Sequence, residues 1–509
     1  MDPNLETGPI DIKAPPPASE RQSARWDLQN ATGNYASLIG AQIVSAVFSL
    51  ASVLFITRFL GSDGYGWAVA VIAASQLAQV FVNWTVLSLP RFGVEEFVLN
   101  GHINQAFWAR TAIFLPNTLV LLALSSLWLP IVQNWLKLPS ASIWLVAAHF
   151  AVSATWLHVQ HALQAAKLPR LQAVLLAIER ISIFAFLLIS WTLGRLDVMS
   201  AIVAYIAGPL LMLMIGLFGL RNVLSWRIDI RRETIVKILR FSLPLIPYSL
   251  MAFVSTNFLD AIFISQYLSK ADLGVYSVAY QFNGILMQFP LIAGTLLLPL
   301  FVTLRTSGKY DRVIEYMENV LPVLTFIGGL AGVSAALVMK FFIPFVFGAQ
   351  VSDAVVIFGI LISSSVLAIP IFTGFSPYTN ALSATYLTSL LAGVSAIINF
   401  AGDYILIPRY GLKGCAWATV LAYGGTVLVI LFVLKGRYKL RHRWTIPAFV
   451  PVLTASVYAS ATNDLITSFF LAFGVSFVIV LIWRRSIADG IRVLEKFKTF
   501  AFGGADQPV

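Results

Sequence analysis

Residues 55–68 read FITRFLGSDGYGWA, and residues 263–276 read FISQYLSKADLGVY. At an offset of 208 positions, Phe55/Phe263, Ile56/Ile264, Leu60/Leu268 and Gly66/Gly274 coincide, and Thr57/Ser265 and Phe59/Tyr267 are close substitutes. The echo continues outward. LPRF at 89–92 returns as LPLF at 298–301, and AIVAYIAG at 201–208 as ATVLAYGG at 418–425. Gly194 and Gly411 stand in matching places just ahead of the last pair. The offset drifts from 208 to 217, as small insertions produce, and the pairs keep their order. The chain therefore reads as two copies of one unit.

Composition says what solvent the unit needs. Hydrophobic residues make up 58% of the chain and charged residues 11%, with a mean hydropathy of +0.83. A soluble domain carries about 25% charge, so this surface calls for lipid. One cysteine, Cys415, excludes an internal disulfide or a cysteine zinc site, and five scattered histidines lack metalloenzyme spacing.

Apolar stretches of spanning length recur fourteen times, near 35–60, 64–89, 109–132, 142–165, 170–193, 198–220, 242–267, 272–302, 317–342, 353–376, 380–405, 412–434, 445–461 and 464–483. With an inside N-terminus, 26 of the 34 lysines and arginines fall in inside segments, which predicts that both termini are cytoplasmic. The net charge of +11 is thus a topology signal, and a nucleic-acid partner is not expected. The expected class is an all-α polytopic membrane protein of about 14 transmembrane helices. Its parts are a disordered cytoplasmic tail (1–34), an N-lobe of helices 1–6 (35–221), a basic cytoplasmic connector (222–241), a C-lobe of helices 7–12 (242–436), helices 13–14 (437–485) and a second cytoplasmic tail (486–509). Both lobes start on the same side, so the axis relating them runs along the membrane normal. Paired lobes with a site between them suit alternating access. Outer loops are short, and neither paired carboxylates nor a nucleophile–base spacing points to an enzyme such as a glycan polymerase or ligase.

At 399–420 the chain reads NFAGDYILIPRYGLKGCAWATV. Asn399, Ile407, Pro408, Tyr410, Gly411, Gly414, Ala416, Ala418 and Thr419 resemble a signature of the polysaccharide (Wzx-like) flippases of the MOP superfamily; Asp403 stands where a second asparagine is usual. The resemblance implies a MATE/MOP-like fold. It also implies transfer of undecaprenyl-pyrophosphate-linked oligosaccharide from the inner to the outer leaflet of a bacterial plasma membrane. No cofactor is expected beyond proton or sodium coupling. Implied partners are the lipid-linked oligosaccharide, membrane lipids, a polysaccharide polymerase and a chain-length regulator. Fourteen helices is similar to the lipid II flippases, but residues 35–57 hold none of the arginines those carry in helix 1. A drug or cation exporter of the same superfamily is the other alternative, and it calls for an acidic or neutral cavity.

Charge inside a span is costly and usually faces a cavity. Glu179 and Arg180 lie nine to ten residues into the fifth span, roughly 14 Å deep. Arg180 suits a pyrophosphate contact, with Glu179 orienting it or moving a proton; an interhelical ion pair is the plainer reading. Asp260 suits a counter-ion, a proton site or a packing partner. Arg91, Arg110, Lys167 and Arg170 sit at inner helix ends, where they either form a basic mouth for a diphosphate or anchor the topology against anionic lipid. Glu95 and Glu96 read as a solvated loop face. Gly411 and Gly414 suit a turn needing positive φ or close backbone approach.

Overall fold

The computed structural model describes residues 18–502, apart from 226, 247–256, 307, 383–384 and 441–443. Every regular element among them is a helix. Eight helices are long and apolar enough to cross a membrane. Two of these, Gly40–Val80 with 41 residues and Ser389–Gly436 with 48, are about 60 and 70 Å long at 1.5 Å per residue, against a hydrocarbon core of about 30 Å. Each holds two spans, broken by glycine at Gly61 and Gly411. The remaining expected spans are the helices Ile143–Ala165, Lys270–Thr306, Val450–Thr462 and Asn257–Tyr267; the first half of the seventh span lies largely outside the described residues. The expected tail divides. Residues 1–17 lie outside the described residues, whereas 18–34 continue the first helix. The stretch from 18 to 32 holds neither proline nor glycine to stop it. At the other end, the last helix runs on from Leu465 to Phe502.

The Gly411 break is a reversal. Gly402 and Ala418 flank it, and a Cβ on Gly402 would lie 2.7 Å from that of Ala418, so the two arms pack side by side. At φ 58°, ψ −138° the turn takes a conformation open to glycine alone without strain, and no atom within 4 Å obstructs a Cβ there. Gly411→Ala should therefore lose about 1–3 kcal/mol through the backbone alone, read as a lower thermal midpoint in detergent. An unchanged midpoint would contradict this account. Gly194, its counterpart in the first copy, also has positive φ (66°).

The duplicated turn motifs meet each other. A Cβ on Gly66 would stand 1.8 Å from the carbonyl oxygen of Lys270, and one on Gly274 would stand 1.9 Å from that of Ser62. Ser62 and Lys270 are themselves 208 positions apart. One contact is thus made twice about a pseudo-two-fold axis, as at an isologous interface. Only glycine lets the backbones approach so closely.

Four further hydrogen bonds cross between the lobes at this same end. Arg58 Nη1 donates to Val346 O at 2.9 Å, Gln350 Nε2 to Thr57 O at 2.6 Å, Lys137 Nζ to Gln266 O at 2.6 Å, and Lys270 Nζ to Leu136 O. Each acceptor lies in the last turn of a helix or of a helical arm, where carbonyls lack intrahelical partners and the dipole favours cations. This end of the lobe interface is closed.

At the opposite end, the connector forms an amphipathic helix, Arg232–Ser242. It buries Ile238 and Ser242 and exposes Arg232, Lys237 and Arg240, the pattern of a helix lying in a membrane interface. Lys237 Nζ sits 4.7 Å from the Phe92 ring centre and 3.5 Å from Glu95 Oε2.

The two C-terminal helices pack on the C-lobe. Ser456 Oγ lies 2.8 Å from Ser363 Oγ and donates to Gly359 O at 2.7 Å, and Lys413 Nζ donates to Ser460 O at 2.6 Å. They help enclose the helix Ala354–Pro370, whose apolar side chains are nearly all buried.

Candidate functional site: an interlobe chamber and a buried carboxylate cluster

Below the closed end lies a cavity of about 580 Å³ walled by both lobes, from Gln42 and Tyr65 on one side to Tyr280 and Gln288 on the other. Arg180 and Glu179 line it. The helix Pro169–Thr192 carries them. Glu179 is buried and accepts from Trp156 Nε1 at 2.6 Å. Arg180 Nη2 lies 3.7 Å from Glu179 Oε1, with its side chain 38% exposed. Neighbours on a helix point about 100° apart, so this loose pairing leaves guanidinium donors free to serve the chamber. Among the described lining residues, Arg180 is the one lysine or arginine and Glu179 the one carboxylate.

The expected basic mouth does not assemble. Arg91 is exposed and lies 3.6 Å from Glu95. Lys167 is exposed in a left-handed turn (φ 53°), and Arg170 is exposed at the second residue of its helix. None of these three lines the chamber.

Arg110 departs furthest from expectation, because it is fully buried. Its helix turns it inward, where Nη1 meets His158 Nδ1 and Nη2 reaches Asn83 Oδ1 at 3.5 Å. Its guanidinium carbon sits 5.6 Å from the centre of the Phe114 ring. Arginine stays protonated, so His158 Nδ1 is the acceptor and the imidazole is neutral. Its Nε2–H then meets Thr111 Oγ1 at 3.0 Å, which donates onward to Phe107 O at 2.8 Å. Arg110 is thus an internal brace of the N-lobe.

Glu96 also overturns its reading as part of a solvated face. Its side chain accepts from the backbone N–H groups of Gln105 and Ala106 at 2.9 Å each. These are unpaired donors at the start of the helix Asn104–Ala123, so a carboxylate there caps it.

Asp260 stands away from the chamber, inside the C-lobe. It and Asp403 are buried at 1% and 0% exposure, together with Asn399 and Cys415. Tyr276 Oη donates to Asp260 Oδ2 at 2.5 Å, and Asn399 Nδ2 lies 3.2 Å from Asp260 Oδ1 and 3.3 Å from Asp403 Oδ2. One ligand atom from each of Asp260, Asp403 and Cys415 lies within 4.8 Å of the others. Among the described residues, Asp403 Oδ1 is buried and accepts no hydrogen bond. Two dry carboxylates this close cannot both carry charge without a proton or a cation between them. The oxygen-rich donor set and the orphaned oxygen fit a hard cation or a shared proton.

Sequence reading placed Asp260 in a span but took Asp403 only as a departure from a signature. The missed signal is the spacing. Asn399 and Asp403 are four apart in one helix and share a face, and that face meets the Asp260 helix.

Comparison with known proteins bears on family and fold. The family model described as polysaccharide biosynthesis protein matches residues 55–356. The probable flippase AglR of Haloferax volcanii is 24% identical over 180 residues, 35% of this chain and 38% of that relative, so the match spans well under half of its length. Among solved structures, the lipid II flippase MurJ in an inward closed conformation superposes with a TM-score of 0.64 at 17% identity, over 88% of this chain and 99% of that one. An inward-facing MATE multidrug transporter of the MOP superfamily follows at 0.57 and 14% identity, over 80% and 99%. At these identities the structures speak for the fold alone, which this chain shares with both.

Proposed function

We propose, for a chain that belongs to the polysaccharide biosynthesis protein family, that it is a flippase for lipid-linked oligosaccharide. Its cargo is the undecaprenyl-pyrophosphate-linked repeat unit, moved across a bacterial inner membrane by alternating access. The observation that carries this is the interlobe chamber holding Arg180, closed at one end by the Gly66–Gly274 seam. The closed end faces outward and both termini face the cytoplasm, in line with the lysine and arginine distribution. The head group enters from the inner side, Arg180 meets its pyrophosphate, and the prenyl chain stays in lipid. The lobes then rock, so that the seam opens as the inner side closes. Glu179, engaged by Trp156 and Arg180, is a poor partner for a cationic drug, which favours an anionic head group as cargo. The Asp260–Asp403 cluster takes the coupling proton or sodium ion. A polymerase and a chain-length regulator would act on the product outside.

Arg180→Ala in proteoliposomes tests the reading, with a fluorescent undecaprenyl-pyrophosphate oligosaccharide as probe. A hydrogen bond to a charged group contributes about 1.5–3 kcal/mol, so translocation should slow by about 10- to 100-fold. Wild-type rates would remove Arg180 from the mechanism.

A further inference from the structure

We propose that the glycan carried is electrically neutral, free of uronic acid, sulfate and phosphate substituents. This rests on the flippase reading and adds the substrate class. The observation is the chemistry of the chamber wall, which neither charge nor motif marks in the sequence. Six glutamines line it: Gln42, Gln76, Gln79, Gln160, Gln281 and Gln288. They come from helices of both lobes. A primary amide offers two N–H donors and a carbonyl acceptor, and a sugar hydroxyl is likewise donor and acceptor. A wall of amides therefore meets a polyhydroxylated ring in almost any orientation. A volume of about 580 Å³ lies in the range of small-ligand sites, about 300–1,000 Å³, and suits a short glycan segment.

The wall has little to offer a charged sugar. An acidic group brought inside loses its hydration and needs a cation in return. Arg180 is the one lysine or arginine among the described lining residues. It already faces Glu179 at 3.7 Å, and the pyrophosphate claims what remains. His149 is held by Ser75 Oγ at 2.5 Å from Nδ1. Glu179 would add repulsion. The lining can thus neutralise one anionic group, which the lipid-linked cargo already carries.

Some of the amides are pre-set. Gln281 Nε2 donates to Ser49 Oγ at 2.9 Å across the lobe interface. Gln79 Nε2 donates to Ser153 Oγ at 2.9 Å, and its carbonyl lies 3.4 Å from Asn83 Nδ2. These bonds fix the amides before the glycan arrives, which lowers the entropic cost of holding it.

The test uses wild-type protein in liposomes with two fluorescent probes. Both are undecaprenyl-pyrophosphate trisaccharides, identical except that one hexose is oxidised to the hexuronic acid in the second. We expect the neutral probe to move at least tenfold faster at subsaturating concentration, and Gln288→Lys to shrink that ratio by supplying a second cation. Equal rates, or faster movement of the acidic probe, would overturn the neutral-glycan inference while leaving the flippase reading intact. Movement of neither probe would overturn both.

Discussion

Valine in place of Gly66 or Gly274 should hold the far ends of the lobes apart and cut transport by about 5- to 100-fold. Each glycine faces a backbone carbonyl at a distance no side chain can share, 1.8 Å for a Cβ on Gly66 and 1.9 Å on Gly274. Backbone cannot rotate away as a flexible side chain can. Overpacking of this kind costs about 1–3 kcal/mol, and here the cost falls only on the state in which the seam is closed. The equilibrium between states shifts by that differential amount. Because the two contacts are halves of one reciprocal interface, the double variant should lose far less than the sum of the singles. Once the seam is open, the second valine meets nothing.

The measurement is labelling of a Val69→Cys reporter in the chamber by a membrane-impermeant maleimide added from outside. Native Cys415 is fully buried and should stay silent. Labelling should rise in either variant in step with the loss of transport. Unchanged labelling and transport in both would show that the seam does not gate the chamber.

The repeat that carries the seam was legible in the sequence, because duplication keeps residue identity where geometry admits only one residue, though the meeting of its two copies was not. Gly66 and Gly274 survive in both copies for the contact they make, and Gly194 and Gly411 for their backbone angles. Depth along a helix was equally legible. Residues count at 1.5 Å each, so Glu179 and Arg180 could be placed within the membrane before any coordinates. Rotation about the helix axis was not. Arg110 and Arg170 both lie near helix ends and both read as mouth residues, yet Arg110 turns inward onto His158 while Arg170 faces out. The choice depends on the neighbouring helix, and that packing is long-range. The glutamine wall was illegible for another reason. Its members are scattered from 42 to 288, each neutral and unremarkable alone, and only the approach of the lobes makes them one surface.

Asparagine at Asp260 should abolish gradient-driven accumulation of the probe, by about 100-fold or more, without unfolding the protein. Asp260 and Asp403 share a dry pocket with Asn399 and Tyr276 and can stand side by side there only with a proton or a cation between them. On the coupling role proposed for the cluster, that need is what would let it read an ion gradient. Asp260→Asn keeps the shape and an acceptor for Tyr276, but it removes one negative charge and with it the need for the ion. The same substitution at Asp403 should act alike. Neither variant should lose stability, because an amide fills the same space and removes the need to bind a proton or a cation in a dry pocket. A thermal midpoint at or above that of wild type would separate this outcome from misfolding. Ion identity follows from the same assay. A ligand that binds only the folded state adds about 2.7 kcal/mol at a concentration one hundred times its Kd. If sodium is the ion, wild type should gain in midpoint when sodium replaces potassium, and Asp260→Asn should not. If the proton is the ion, wild type should gain as the pH falls instead. A wild-type midpoint indifferent to both, with Asp260→Asn still accumulating probe under a gradient, would strip the cluster of any coupling role and leave it a packing feature of the C-lobe.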